Sequence, residues 1–281
     1  MLILSANKAY SANMDYSRQT TLITGASSGI GTAFARELAA RGSDLILVAR
    51  RGDRLRALAS ELQQSHGVTA TAIEQDLSSP TAAADLQRAV AASGLRVTSL
   101  INNAGFGTYG PFLQEDTARL AAEITVDVST PVQLSATFLP DILEAGTGFL
   151  INVASMAAYA PVPRMAVYGA TKAFILNFTE ALWAELRQTG VTVFALSPGA
   201  TATEFNDVVG TEDATAGARK RSVDDVVATA LRHLERRRPG PSVVDGVGNR
   251  AGAVAVRLAG RRPILVMMER MTRPRAGTSR G

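Results

Sequence analysis

Tyr168 and Lys172 stand four residues apart in VYGATK, and Ser155 precedes the tyrosine by 13 residues in SMAAYAPVPRMAVY. On a helix the side chains at i and i+4 share one face, so the ammonium lies beside the phenol and favours its ionised form. A tyrosine whose ordinary pKa is about 10 is thereby moved toward the working pH, where it can pass a proton to or from a bound oxygen. Ser155, at the end of a predicted strand, can donate a hydrogen bond to that same oxygen, a positioning and electrostatic role. Taken alone, Tyr-x-x-x-Lys is more often a surface pair that does no chemistry.

The rest of the composition narrows the options. The chain has no cysteine and only two histidines, His66 and His233. A disulfide and a thiolate metal site are excluded, and an imidazole metal cluster nearly so; no metal is expected. The chemistry must come from other side chains or from a cofactor. A second stretch, TGASSGIG at 24–31, places Gly25, Gly29 and Gly31 between the apolar TTLI and the helical AFARELAARG. A loop that turns sharply, brings its backbone close to a diphosphate and opens a helix whose free N–H groups face the anion favours residues without a Cβ. Ser27 and Ser28 add hydroxyls able to bind phosphate. The spacing is Gly-x-x-x-Gly-x-Gly, and by itself it reads equally well as an ordinary tight turn.

The elements that must hold these residues alternate along the chain. Strands are predicted at 20–24, 44–49, 69–74, 97–101, 148–154, 191–197 and 242–245, and helices at 29–41, 52–65, 80–93, 116–144, 164–188 and 223–237. This alternation predicts an α/β fold, a doubly wound parallel sheet of Rossmann type with helices on both faces, whose ligands bind beyond the carboxyl ends of the strands. With 281 residues and no linker, one domain at 18–248 is expected, with an N-terminal extension at 1–17 and a basic, apolar, helical C-terminal extension at 249–281.

No apolar run reaches the roughly 18 residues of a membrane span, and MLILSANKAYSANMDYSRQ lacks the features of a signal peptide, so a cytoplasmic protein is expected. Met14 opens MDYSRQTTLITGASSGIG, so residues 1–13 are expected to be dispensable for melting temperature and activity. Charge is unevenly spread. Residues 219–281 carry 15 Lys and Arg against 5 Asp and Glu, a balance of +10, whereas the first 218 residues balance at −6. In the tail Arg257, Arg261, Arg262, Arg270, Arg273 and Arg275 alternate with Leu258, Ile264, Leu265, Met267 and Met268. The pattern is compatible with weak contact to an anionic membrane surface, but the solvated face of terminal helices is the favoured reading.

Three further stretches set these residues in one context: INNAG at 101–105 after the fourth strand, the Ser155, Tyr168 and Lys172 set, and SPGATATEF at 197–205 closing the sixth. With the glycine loop they resemble the classical short-chain dehydrogenase/reductase family over roughly residues 20 to 205. The resemblance implies a dinucleotide-binding domain that also contains the active site, and oxidoreduction of a carbonyl/alcohol pair with a nicotinamide cofactor. In that setting Tyr168 is the acid/base, Ser155 fixes the substrate oxygen against the nicotinamide ring, and Lys172 also holds the nicotinamide ribose. The resemblance places Gly25, Ser27, Ser28, Gly29, Ile30 and Gly31 in the cofactor loop, and Asp76 and Leu77 beside the adenine. Asn103, Ala104 and Gly105 pack against the adenosine ribose, and Pro198, Gly199, Thr201 and Thr203 hold the carboxamide and diphosphate. The family usually supplies an asparagine from the long fourth helix for a water-linked proton path to the lysine; Asp127 occupies that position. Buried near Lys172, it would be charged and paired, weakening the lysine's pull on Tyr168. Asp127→Asn is therefore expected to leave turnover intact or raise it.

Cofactor choice is legible at the end of the second strand, LILVAR-R. An acidic residue there grips the ribose hydroxyls of NAD, whereas arginine accommodates a 2′-phosphate. Ala49 takes the acidic position and Arg50 and Arg51 follow, so NADP(H) is expected over NAD(H), with Arg50 the first phosphate ligand. The bland alternative is that both are solvated loop charges. The segment 205–222 is expected to cover the substrate, and Phe106, Tyr109, Phe112, Met156, Tyr159 and Phe205 suggest an apolar carbonyl compound, although such residues also serve as core. A non-catalytic redox sensor is the alternative function; the Ser155, Tyr168 and Lys172 set argues against it, and the glycine pattern argues against a sugar-nucleotide epimerase. No nucleic-acid partner is expected. The segment MAVYGATKAFILNFTEALWAEL is apolar around most of its circumference and, with Leu120, Ile124, Val128, Val132 and Leu139 of the preceding helix, is expected to pair across a two-fold axis in a homodimer or a tetramer. The competing arrangement lays segment 249–273 over that face.

Overall fold

β1 (Thr20–Thr24), β2 (Asp44–Ala49), β3 (Ala70–Glu74), β4 (Ser99–Asn102), β5 (Gly148–Val153), β6 (Val191–Ser197) and β7 (Ser242–Val244) form one parallel sheet in the order β3-β2-β1-β4-β5-β6-β7. The computed structural model describes residues 14–215 and 217–274; the expectation for residues 1–13 lies outside them. The strands read as near-continuous runs of Leu, Ile, Val and Phe because both faces of a parallel sheet are covered. Alternation along each strand then divides the core in two. Ile23, Leu45, Leu47, Phe149 and Phe194 point to one side, where Phe34, Leu38, Leu55 and Leu231 meet them. Leu22, Ile46, Val48, Leu100 and Leu150 point to the other, against Leu86, Leu134, Phe138 and Ile142.

The helices that supply those residues are α1 (Gly29–Ala40), α2 (Gly52–His66), α3 (Ala82–Ala92), α4 (Thr117–Ile124), α5 (Thr130–Ala145), α6 (Ala166–Leu186), α7 (Phe205–Val209), α8 (Val223–Leu234), α9 (Val247–Leu258) and α10 (Arg261–Met271). Strand order reverses between β1 and β4, so the loops leaving these two strands diverge and open a crevice at their carboxyl ends. The doubly wound α/β architecture is the predicted one. Met14 and Tyr16, just before β1, already pack on the core, and the Tyr16 hydroxyl donates to Glu235 at 3.1 Å. Among the described residues no helix is long and apolar enough to cross a membrane.

One predicted helix differs. The stretch predicted as a single helix over 116–144 is broken by a π-turn at Thr125–Ser129. Pro131 supplies the reason: it has no N–H for the carbonyl of Asp127, and its ring would collide with that carbonyl in a regular α-helix. The widened turn relieves the conflict and buries Asp127 completely. π-turns are rare and cluster at functional sites.

Candidate active site

Ser155 leaves the end of β5 in extended conformation and caps the short turn Met156–Ala158, its Oγ accepting from Ala157 N–H at 3.1 Å. The peptide beside it is fixed, since Met156 N–H donates to the Pro198 carbonyl at 2.9 Å and so ties the loop after β5 to the loop after β6. Tyr168 and Lys172 lie on the first two turns of α6, on one face, with the ammonium nitrogen 5.5 Å from the phenol ring centre. Ser155 and Tyr168 line the same cavity, and Ser155 is close enough to lower the Tyr168 pKa. The three residues singled out by spacing therefore do converge.

Lys172 is almost wholly buried and bonds the Asp127 carboxylate at 3.0 Å and the Val153 carbonyl at 3.4 Å. Asp127 also accepts from the Phe106 N–H at 3.1 Å and the Thr171 hydroxyl at 3.3 Å. The pairing expected from the sequence is present. Gly105 permits it, because a Cβ there would stand 2.9 Å from both Asp127 Oδ1 and Lys172 Nζ. Burial disfavours a charged Lys172, yet Asp127 and then Tyr168 outweigh it and hold the ammonium above its ordinary pKa. Burial likewise raises the Asp127 carboxyl, against the pull of Lys172 and of the two donors.

The phenol departs from the sequence-based expectation. Burial, the dominant cause, raises Tyr168 above its ordinary value; Lys172 and Ser155 pull it down, while Asp127 and Glu123 push it up. Lys172 acts in the expected direction without carrying the net shift, because the dry cavity wall and the two carboxyls oppose it.

At the other end of the crevice Gly25 has φ +68° and Gly29 φ +56°, values that favour glycine. Close approach is the second constraint: a Cβ on Gly31 would stand 2.4 Å from the Gly25 carbonyl, and one on Gly25 would stand 2.8 Å from Asn103 Nδ2. Asn103 braces the loop, its side-chain amide donating to the Thr24 carbonyl at 2.9 Å. Arg51 reaches back to Ser27 at 3.1 Å, to Ser28 at 2.7 Å and to Glu204 at 2.6 Å. Arg54 bonds the same glutamate at 2.7 Å, and these two arginine hydrogen bonds, Arg54 first, lower the Glu204 carboxyl to about 2. Arg50 is exposed near Asp76, whose carboxyl is held down first by the Ser78 N–H and also by Arg50.

A cavity of about 700 Å³ runs from this loop to Tyr168, a volume ordinary for a small-molecule site. Among the predicted site residues, Gly31 alone does not line it; it lies beneath the loop, where the Gly25 carbonyl leaves no room for a side chain. The aromatic expectations divide. Phe106, Met156, Tyr159 and Phe205 line the cavity, Phe205 packing 5.3 Å from the Tyr168 ring. Phe112 is 61 % exposed and lies outside the cavity wall, because the short turn that carries it faces solvent. Tyr109 is turned to the tail, donating to the Thr272 carbonyl at 2.7 Å.

Residues that sequence reasoning missed are equally plain. Met267, Met268, Met271 and Thr272 of the C-terminal segment line the cavity, as do Asn249, Gly252 and Val256 of α9. Helical spacing of the three methionines was the available signal. Glu204, which pairs with both arginines, and the buried Glu123 carry no motif.

A doubly wound sheet with a glycine loop at its switch point and a Ser–Tyr–Lys set facing the same crevice describes a class of nucleotide-binding α/β proteins. The sequence profile of the family described as "short chain dehydrogenase" matches residues 19–214. Sulfoacetaldehyde reductase 2 of Chromohalobacter salexigens is 36% identical over 216 residues, covering 76% of this chain and 85% of the relative. The structure of a short-chain dehydrogenase from Sphingobium yanoikuyae in complex with NADPH superposes with a TM-score of 0.76 at 34% identity, covering 93% of this chain and 98% of its own. The bulky-bulky ketone specific alcohol dehydrogenase of Comamonas testosteroni gives 0.72 at 29% identity, with 94% and 98% covered. The chain belongs to the short chain dehydrogenase family and is an oxidoreductase.

Proposed function

We propose that the protein interconverts a carbonyl compound and its alcohol by hydride transfer with NADP(H). The observation that carries this reading is that Ser155, Tyr168 and Lys172 converge at one end of the cavity whose other end is the glycine loop. The cradle fits a dinucleotide: Gly25 and Gly29, both at positive φ, line the cavity, Gly31 lets the helix start pack directly against the Gly25 carbonyl, and Ser27 and Ser28 offer hydroxyls beside the N-terminus of α1. Asn103 to Gly105, Asp76, Leu77 and the Pro198 to Thr203 loop would hold the remainder. When bound, the cofactor supplies or accepts the hydride.

The protein's own groups then move the proton. In reduction the Tyr168 hydroxyl protonates the substrate oxygen while Ser155 donates a hydrogen bond to it. In oxidation the phenolate, supported by Lys172, removes the alcohol proton. The NADPH bound by the Sphingobium relative and the position of Arg50 both support NADP(H) as the preferred cofactor. Phe106, Phe205, Met267, Met268 and Met271 support a sizeable apolar substrate, and the ketone specificity printed for the Comamonas enzyme is consistent with it. A panel of ketones and alcohols, followed by absorbance of the reduced cofactor, tests the reading. Turnover of apolar ketones with NADPH is expected, and no turnover of any carbonyl would overturn it.

The same reading makes the protein a cytoplasmic homodimer or a tetramer built from that dimer. Ile124 and Phe174, 45 % and 46 % exposed, support burial of the α4 and α6 surface against a second copy. The tail lines the cavity, which supports leaving this face to a second copy. Light scattering at micromolar concentration should give at least twice the monomer mass; a monomer would refute the dimer. The outer face of α9 and α10, where Val254, Leu258 and Val266 are exposed beside Arg257, Arg261 and Arg262, is suited to weak contact with an anionic membrane surface.

A further inference from the structure

Glu123 lies on α4 one helical turn before Asp127, and both carboxyls are wholly shielded from solvent. Its Oε2 bonds the Thr108 hydroxyl at 2.8 Å, whereas Oε1 has no hydrogen-bond partner among the described residues. Two carboxyls and one ammonium are therefore buried together, and Asp127 takes the ammonium. The charged groups bearing most on Glu123 are Asp127 from the π-turn, Lys172 from α6 and Glu115 ahead of α4, and Lys172 is already paired with Asp127. Arg119, one turn earlier on α4, is exposed and donates to the Val208 carbonyl. Were both carboxyls ionised, the cluster would bury an uncompensated negative charge next to Tyr168, which a low-dielectric interior strongly disfavours. A neutral Glu123 leaves the cluster balanced, with Asp127 and Lys172 as its only ions.

We propose that Glu123 is a positioning residue that carries a proton in the working enzyme and, by releasing it, tunes Tyr168 through the Asp127–Lys172 pair. This rests on the reading of Tyr168 as the acid/base. Burial is the main cause that lifts the Glu123 carboxyl to about 7; Asp127 and Glu115 push the same way, and the Thr108 hydrogen bond and Lys172 oppose. The sign follows from charge. As pH rises through neutrality Glu123 becomes negative and raises the cost of forming the phenolate. Alcohol oxidation, which needs the phenolate, is held back on that side, while carbonyl reduction keeps its protonated phenol to higher pH.

Two measurements on the full chain need no turnover. Infrared difference spectra between about pH 5.5 and about pH 8.5 should show loss of a protonated, buried carboxylic-acid C=O band, with its midpoint near neutrality. Glu123→Gln, which keeps the side chain's size and its partner Thr108, should lack that band. Ultraviolet titration of Tyr168, isolated by subtracting the Tyr168→Phe spectrum, should show the phenol of Glu123→Gln ionising about half a unit to one unit lower. The alcohol-oxidation profile should shift by the same amount, a gain of about three- to tenfold on its acidic limb. Should Glu123→Gln not fold, Thr108→Val carries the test: removing the Thr108 hydrogen bond to the carboxyl should raise the infrared midpoint. Absence of the band in the native protein, or coincident titrations of native protein and variants, would overturn the proposal. Both spectroscopic shifts appearing without turnover of any carbonyl would instead leave the coupling of Glu123 to Tyr168 standing and refute the carbonyl/alcohol reading on which its catalytic role rests.

Discussion

Tyr168→Phe is expected to lower turnover by about 10²- to 10⁴-fold, the range contributed by a positioned acid or base, while cofactor affinity changes little. The substitution keeps the ring, and hence the packing against Phe205 5.3 Å away, and removes only the hydroxyl. The nearest other donors are engaged elsewhere. Lys172 is held by Asp127 and the Val153 carbonyl, and the Tyr159 hydroxyl is directed to Ser197 at 3.4 Å. Lys172→Ala should damage both turnover and cofactor binding, since it removes the counter-charge of a buried aspartate as well as the proposed ribose ligand. Steady-state rates on a good substrate, paired with a fluorescence titration of cofactor, separate the two variants. A near-normal rate in Tyr168→Phe would show that the proton comes from elsewhere.

The second large effect concerns cofactor choice. The native protein should prefer NADP(H) over NAD(H) by at least roughly tenfold, about 1.4 kcal/mol, because a guanidinium makes charge-assisted hydrogen bonds to a 2′-phosphate. Arg50→Ala with Arg51→Ala should abolish the preference. The single variants should differ, for a structural reason: Arg51 is engaged by Ser27, Ser28 and Glu204, whereas Arg50 is exposed at the cavity edge. Arg50→Ala should therefore carry most of the lost discrimination. Arg51→Ala should weaken both cofactors together by loosening the glycine loop. Titration of intrinsic or cofactor fluorescence with NADPH and NADH checks this, and equal affinities in the native protein would refute the assignment.

What the sequence discloses, and what it conceals, follows physical lines. Strands such as LILVA in β2 are legible because burial on both faces leaves an uninterrupted apolar run. The glycine loop is legible because its backbone geometry admits few other residues. The π-turn was also written in the sequence, by Pro131 within a predicted helix, but a proline near an internal helix boundary does not say which side chain the distortion buries. The tail is the clearest miss. Alternating Arg and Met near a terminus reads the same whether the methionines meet solvent, lipid or a cavity, and only the packing of α10 beside Tyr109 decides that Met267, Met268 and Met271 line the site. Glu123 was invisible for a related reason: a glutamate on an amphipathic helix is ordinarily solvated, and its burial depends on Thr108 and α6, distant in sequence.

The central claim is direct hydride transfer to a carbonyl carbon with proton delivery by Tyr168. It is tested most directly by supplying NADPH deuterated at the transferring position with an apolar ketone and analysing the alcohol by mass spectrometry. One deuterium on the carbinol carbon, formed at a rate that Tyr168→Phe reduces by about 10²-fold or more, is the predicted result. Alcohol formed without deuterium, or formed equally fast by Tyr168→Phe, would contradict the account.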